Sequence, residues 1–307
     1  MPGPLCELWH SVDVPATTQA VVDLLTLTGP DRDHCVGAHP RTLMQRTYGG
    51  QVLAQALMAA HRTVPDDRQV HSLHACFVRP GAPDADICFA TENIRDGGSF
   101  STRQVIGRQL VTDQDKEIFR MTASFHITEP GLDHADPMPS DVPGPEDCPT
   151  FVEYMDATIG PSPLWREWDA LDVRFAGDSA PGGVIKPGRH VASMRIWMRT
   201  RDMLPTDSRI HRAMLAYMSD LTLLSVSAVP HPVAFISKQL QTASLDHAMW
   251  FHRDFRADEW LLYDMYSQSA SGGLGHGSGR IFQNKLLVSA TAQEGLIRPV
   301  EDRAVLS

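Results

Sequence analysis

Between Glu129 and Pro163 the chain carries eight prolines, Pro130, Pro137, Pro139, Pro143, Pro145, Pro149, Pro161 and Pro163, mixed with Asp and Glu. Proline fixes φ and removes a backbone donor, so this density predicts neither helix nor central strand. The chain therefore reads as two unequal folded units, 1–128 and 166–307, joined by a proline-rich linker over 129–165. A length of 307 residues agrees with two units of ordinary domain size.

The two units read in the same order. In the first, Gly49-Gly50 opens a helical pattern from Gln51 to about Thr63, followed by strand patterns at His71–Arg79, Ile87–Ile94, Ser101–Gln109 and Ile118–Ile127. In the second, a helix is predicted from Ser208 to Ser227, with strands at Leu240–Phe251, Trp260–Gln268, Gly279–Phe282 and Leu286–Gly295. Residue echoes keep order and near-constant separation: Ser72-Leu73-His74 with Ser244-Leu245-Asp246, Gly97-Gly98 with Gly272-Gly273, and Lys116 with Lys285. A long helix followed by an antiparallel meander lays its apolar stripe on one face of a curved sheet. The expectation is an α+β fold duplicated within one chain.

Composition narrows the function classes. Acidic residues number 37 against 27 basic ones, a formal charge of −10 spread along the chain, which argues against nonspecific nucleic-acid binding. An anionic ligand would need a local basic patch. The five cysteines, Cys6, Cys35, Cys76, Cys88 and Cys148, contain no C-x-x-C pair, so neither a disulfide framework nor a zinc knuckle is expected. The least polar stretch, Ala213–Ser237, includes Asp220, Pro230, His231 and Pro232, so no membrane insertion is expected. No basic residue precedes Arg32, and Ala304-Val305-Leu306-Ser307 differs from the Ser-Lys-Leu address, which makes the cytoplasm the expected compartment.

Asp220 is the chemical anomaly. It shares a helical stripe with Ala213, Ala216, Tyr217, Leu223, Leu224 and Ser227, a face that should meet the core. A desolvated carboxylate is a stronger base and needs partners. It either fixes helix to sheet or serves as a general base. Ser244 and Gln293 lie on predicted strands that could face it, and a hydroxyl and an amide beside a carboxylate can hold one water. Familiar devices are missing: no G-x-S-x-G elbow, no G-x-G-x-x-G or Walker loop, and no H-E-x-x-H. The glycine-rich run Gly272–Gly279 reads as a hairpin loop. His71 with His74, and His247 with His252, sit at spacings that point to opposite strand faces, so no metal site is expected.

Six blocks, in order, resemble the acyl-CoA thioesterase II family. The first half contributes Gly49-Gly50-Gln51-Val52-Leu53-Ala54-Gln55-Ala56-Leu57, the run His71 to Gly81, and Arg95 to Arg103. The second contributes Tyr217-Met218-Ser219-Asp220, Ser244 to His252, and Gln293-Glu294-Gly295-Leu296-Ile297-Arg298. The resemblance implies a double hotdog fold, each unit a long helix wrapped by an antiparallel sheet, and hydrolysis of medium- to long-chain fatty acyl-CoA to free acid and CoA without a cofactor. It also implies that Asp220, Ser244 and Gln293 organise an attacking water. Many family members have Thr where this chain has Ser244; the hydroxyl is kept and the rotamer is less restricted. The echo positions Gln55 and Ser124 would then leave the first half catalytically degenerate. Candidate substrate contacts are Arg95, Arg103, Arg253 and Arg280 for the phosphates, and Met214, Met218, Leu221, Met249, Trp250 and Phe251 for the acyl chain. A homo-oligomer, dimer or larger, is expected. The alternatives are a noncatalytic acyl-CoA-binding protein and a hotdog dehydratase, which would want a His paired with an acid.

Overall fold

The computed structural model describes residues 14–112, 114–186, 190–237 and 239–300. Cys6 and Ala304–Ser307 lie outside them. Along the chain run α1 (Thr18–Leu25), β1 (His34–Gly37), α2 (Gly49–His61), β2 (Arg68–Phe77), β3 (Ile87–Asp96), β4 (Phe100–Val111) and β5 (Gln114–Ile127). They are followed by α3 (Phe151–Thr158), β6 (Leu171–Asp178), β7 (Ala192–Thr200), α4 (Ser208–Ser219), β8 (Leu240–Ser244), β9 (Asp246–Phe251), β10 (Leu261–Ser271), β11 (Leu274–Gln283) and β12 (Leu286–Pro299).

The strands form one antiparallel sheet in the order β1-β3-β4-β5-β2-β9-β12-β11-β10-β7-β6, with β8 also paired to β12. Each half has the same internal order: β1-β3-β4-β5-β2 in the first is matched by β7-β10-β11-β12-β9 in the second. This is a double hotdog. The halves join where β2 pairs with β9, Leu73 opposite Met249. On the concave side α2 and α4 pack against one another. Helix α2 is buried on nearly every side, because sheet and partner helix cover it together. Gly50 permits the contact: a Cβ there would lie 2.3 Å from the carbonyl oxygen of Tyr217.

The structure corrects the sequence expectations at several points. Each unit has a strand before its central helix, β1 and β7, preceded in turn by α1 and β6, and the predicted order of helix and four strands omitted all four. The proline-rich stretch holds a helix, α3, started by a capping box of Thr150 and Glu153. Its neighbours Pro149 and Pro161 bracket the helix rather than interrupt it. Helix α4 ends at Ser219, and the apolar pattern beyond it belongs to a separate 3-10 turn at Leu224–Ala228. The strand expected over Leu240–Phe251 breaks at Leu245 into β8 and β9.

Candidate active site

Asp220 is the C-cap of α4, so the chain turns there instead of carrying it on a helical stripe. Its side chain is only 5% exposed. Gln293, on the helix-facing side of β12, is fully buried and donates from Nε2 to Asp220 Oδ1 at 2.6 Å. The same amide nitrogen lies 3.0 Å from Ser244 Oγ, and that hydroxyl is 3.4 Å from Asp220 Oδ1. Ser244 is the last residue of β8, opposite Gly295. One buried polar cluster therefore gathers the three residues from a helix end and two strands of the second half.

The first half supplies the opposite wall. The start of α2 abuts Asp220: a Cβ on Gly49 would fall 2.7 Å from Oδ2. The two carboxylate oxygens thus differ. Oδ1 is held by Gln293, whereas no hydrogen bond among the described residues reaches Oδ2. Tyr48, the N-cap of α2, makes no side-chain cap and instead donates its hydroxyl to the Tyr217 carbonyl at 2.7 Å. The first-turn amides of α2 are left without a capping side chain. Burial, reinforced by the nearby Asp220 carboxylate, pushes the Tyr48 hydroxyl well above its usual range.

Two cavities that share part of their walls lie here; Asp220 and Ser244 line the smaller, none of the three residues lines the larger, and Gln293 lines neither. One of about 380 Å³ is lined by Asp220, Ser244, Gly49 and Phe77, with Arg46 and Arg79 on its wall. The other, about 530 Å³ and mostly apolar, is lined by Phe151, Tyr154 and Met155 of α3, Phe175, Met194 and Ile196. Met44, Tyr48, Leu221, Ser225, Phe235 and Thr242 line both. Among the described residues no three His, Cys, Asp or Glu side chains gather as a metal site.

The arginines chosen from sequence lie elsewhere. Arg103 is 1% exposed and bound by Asp96, Asn93 and Thr63, so its charge is spent inside the first half. Arg253 is held by Asp133 and the Leu287 carbonyl, and Arg280 by Asp264 and Asp136. Arg95 is exposed at the end of β3 and lines neither cavity. Met249 packs beneath the site, its sulfur 3.4 Å from Ser219 Oγ. Trp250, the next residue on the strand, points to the other sheet face against His74. Of the expected acyl contacts, Leu221 lines both cavities, while Met214, Met218 and Phe251 line neither. Gln55 sits mid-helix, donating to the Leu24 and Ala38 carbonyls, and Ser124 faces His71 on the sheet's other face, so neither is a counterpart of Asp220 or Gln293. Nor does Ser72 correspond to Ser244: it lies within β2, opposite Ser124 and Trp250.

Sequence reasoning missed Arg46, Tyr48 and Arg79 on the cavity wall, and weighed His247 only as a metal ligand. The Gly49-Gly50 pair was the available signal for Tyr48, since a close helix contact needs glycine. His247 lies 3.8 Å from Asp220, which supplies a His-acid pair, yet the ring is fully buried and lines neither cavity.

Comparison with known proteins agrees with this architecture. Residues 168–296 match the acyl-CoA thioesterase family model, and residues 39–126 match that of the acyl-CoA thioesterase N-terminal domain. The chain is 36% identical over 262 residues to acyl-CoA thioesterase 2 of Haemophilus influenzae, covering 83% of this chain and 88% of that protein. It is 35% identical over 292 residues to acyl-coenzyme A thioesterase 8 of Homo sapiens, covering 91% and 88%. The crystal structure of the acyl-CoA thioesterase II TesB2 from Mycobacterium marinum superposes with a TM-score of 0.76 at 40% identity, covering 92% of this chain and 99% of that one. A hot dog fold protein of unknown function from Alicyclobacillus acidocaldarius shares the fold at 21% identity and a TM-score of 0.71. The chain belongs to the acyl-CoA thioesterase II family and is a thioester hydrolase acting on acyl-CoA.

Proposed function

We propose that the protein hydrolyses medium- to long-chain fatty acyl-CoA by direct attack of water, with Asp220 as general base and Ser244 and Gln293 orienting the water. The observation that carries this reading is the 2.6 Å contact from Gln293 to Oδ1, which leaves Oδ2 facing the start of α2 and the cavity. Water adds to the thioester carbonyl as its proton passes to Oδ2. The uncapped amides at the start of α2 stabilise the developing oxyanion, because they lie at the positive end of the helix dipole. The tetrahedral adduct then collapses, the C–S bond breaks, and the proton on Asp220 leaves with the CoA thiolate. The 530 Å³ apolar cavity takes the acyl chain, and Arg46 and Arg79 meet the phosphates at the mouth of the other.

The test is free-thiol release from a series of saturated acyl-CoAs, run on wild type and on Asp220→Asn, with folding checked by circular dichroism. The expected result is turnover that rises with chain length to a limit set by the cavity, and a loss on the order of 10²–10⁴-fold in the variant. Unchanged turnover by folded Asp220→Asn would remove the base from the mechanism. Binding without turnover by the wild type would favour a noncatalytic acyl-CoA-binding protein.

A further inference from the structure

Next to Asp220 lies a buried group that the water-attack mechanism does not use. His247, on β9, is 0% exposed. Its Nε2 is 3.0 Å from Ser219 Oγ, while Nδ1 lies 3.8 Å from Asp220 Oδ1 and has no hydrogen-bond partner. Burial lowers the basicity of the ring against the opposing pull of Asp220 and Asp246, so the imidazole is neutral and carries one proton.

Two arrangements of that proton are open. On Nε2 it is donated to Ser219, whose hydroxyl then goes to the Ala216 carbonyl 3.0 Å away. Nδ1 would then turn a lone pair toward a buried carboxylate. On Nδ1, the proton points the positive end of the N–H dipole at Oδ1, and Ser219 donates to Nε2. The 3.8 Å separation is too long for a hydrogen bond, but water does not screen the interaction here. The second arrangement satisfies Nε2 and places a favourable dipole on the carboxylate; the first opposes a lone pair to it.

We infer that His247 is a positioning residue for Asp220: held as the Nδ1-protonated tautomer by Ser219, it fixes and polarises Oδ1 so that Oδ2 is left to take the proton from water. The inference rests on Asp220 being the base. Tyr48 and Tyr263 also face Asp220, with Tyr217 beside Tyr48, and burial holds all three phenols above their usual range, hence neutral. Asp246, next to His247 on β9, is engaged by the Glu294 amide at 2.6 Å.

The experiment pairs His247→Asn, whose amide nitrogen can stand in for Nδ1, with His247→Gln, whose amide reaches the Nε2 position instead. Profiles of kcat and KM against pH are measured with lauroyl-CoA, and the histidine tautomer of the wild type is read from ¹⁵N NMR. Loss of the Nδ1 donor disfavours the ionised carboxylate, so His247→Gln is expected to lose about tenfold in kcat at neutral pH. Its KM stays unchanged and its acid limb moves to higher pH. His247→Asn keeps the wild-type limb, and the NMR signal is that of the Nδ1–H form. An Nε2–H tautomer overturns the inference, and this measurement needs no variant to fold. So does a wild-type acid limb in His247→Gln when Asp220→Asn is inactive. Full activity in Asp220→Asn instead places the fault in the underlying reading of the base.

Discussion

The two junctions where the central helices cross ends show the same backbone put to different chemical use. At one, the C-terminus of α4 brings Asp220 to the start of α2; at the other, the C-terminus of α2 brings His61 toward the start of α4. Asp220 is met by an amide donor and a hydroxyl and borders a cavity. His61 is 4% exposed, stacks edge-on against Phe125 with centroids 5.1 Å apart, and has no partner for either ring nitrogen. Burial, then the nearby Arg212 and Arg209, push its basicity down to about 3. The helix starts differ as well. The Asp207 side chain caps α4, whereas no side chain caps α2. Around α4, Ser208 and Arg212 are tied to Gln69. A duplicated fold keeps its packing at both junctions, but chemistry needs one whose polar groups are left for a ligand.

This contrast can be broken in stages. Gln293→Ala removes the charged hydrogen bond that holds Oδ1, worth about 1.5–3 kcal/mol, and is expected to lower kcat roughly 10- to 100-fold with little change in KM. A loss confined to KM would separate Gln293 from water orientation. Arg46→Ala and Arg79→Ala each remove one exposed charge from the cavity wall. Each should raise KM for acyl-CoA by a few-fold, less at high salt, with kcat unchanged in steady-state assays.

At the second junction His61→Phe should leave turnover unaltered, since an aromatic ring replaces one whose nitrogens are unsatisfied. Its signature is in stability. The unfolded chain binds a proton on His61 below its ordinary value near 6.5, while the folded chain does so only near 3. Wild-type stability is therefore lost as pH falls through that window, by at most about 1.4 kcal/mol per pH unit from this group. Urea unfolding between pH 7 and 4 should show a shallower slope for His61→Phe. Equal slopes would mean that His61 does not carry that share.

That Asp220, Ser244 and Gln293 belong together in space was legible from sequence because each stands in a distinctive block, and the glycine pair at 49–50 marked a close helix contact. Other parts were hidden for physical reasons. Helix α3 lay behind prolines that bracket it, although Thr150 and Glu153 announced its start. Strand β7 alternates buried and half-buried residues, but its half-buried face carries Arg and Trp, which blur a hydrophobic count. The pairing of Ser72 with Ser244 failed because cross-strand hydrogen bonds fix which residues correspond, and identity along the chain does not report them. The arginines on the cavity wall could not be separated from others, since exposure and ion pairing depend on the folded surface.

The β2–β9 seam has a consequence for biosynthesis. It joins residues as far apart as Leu73 and Met249, so the hydrogen bonds that unite the sheet form only after most of the chain exists. Such nonlocal pairing is slow. Until then a nascent first half presents the open edge of β2, a template for wrong partners that invites chaperone protection or aggregation. Catalytic competence therefore arrives late in synthesis, when β9 covers that edge and α4 settles against α2.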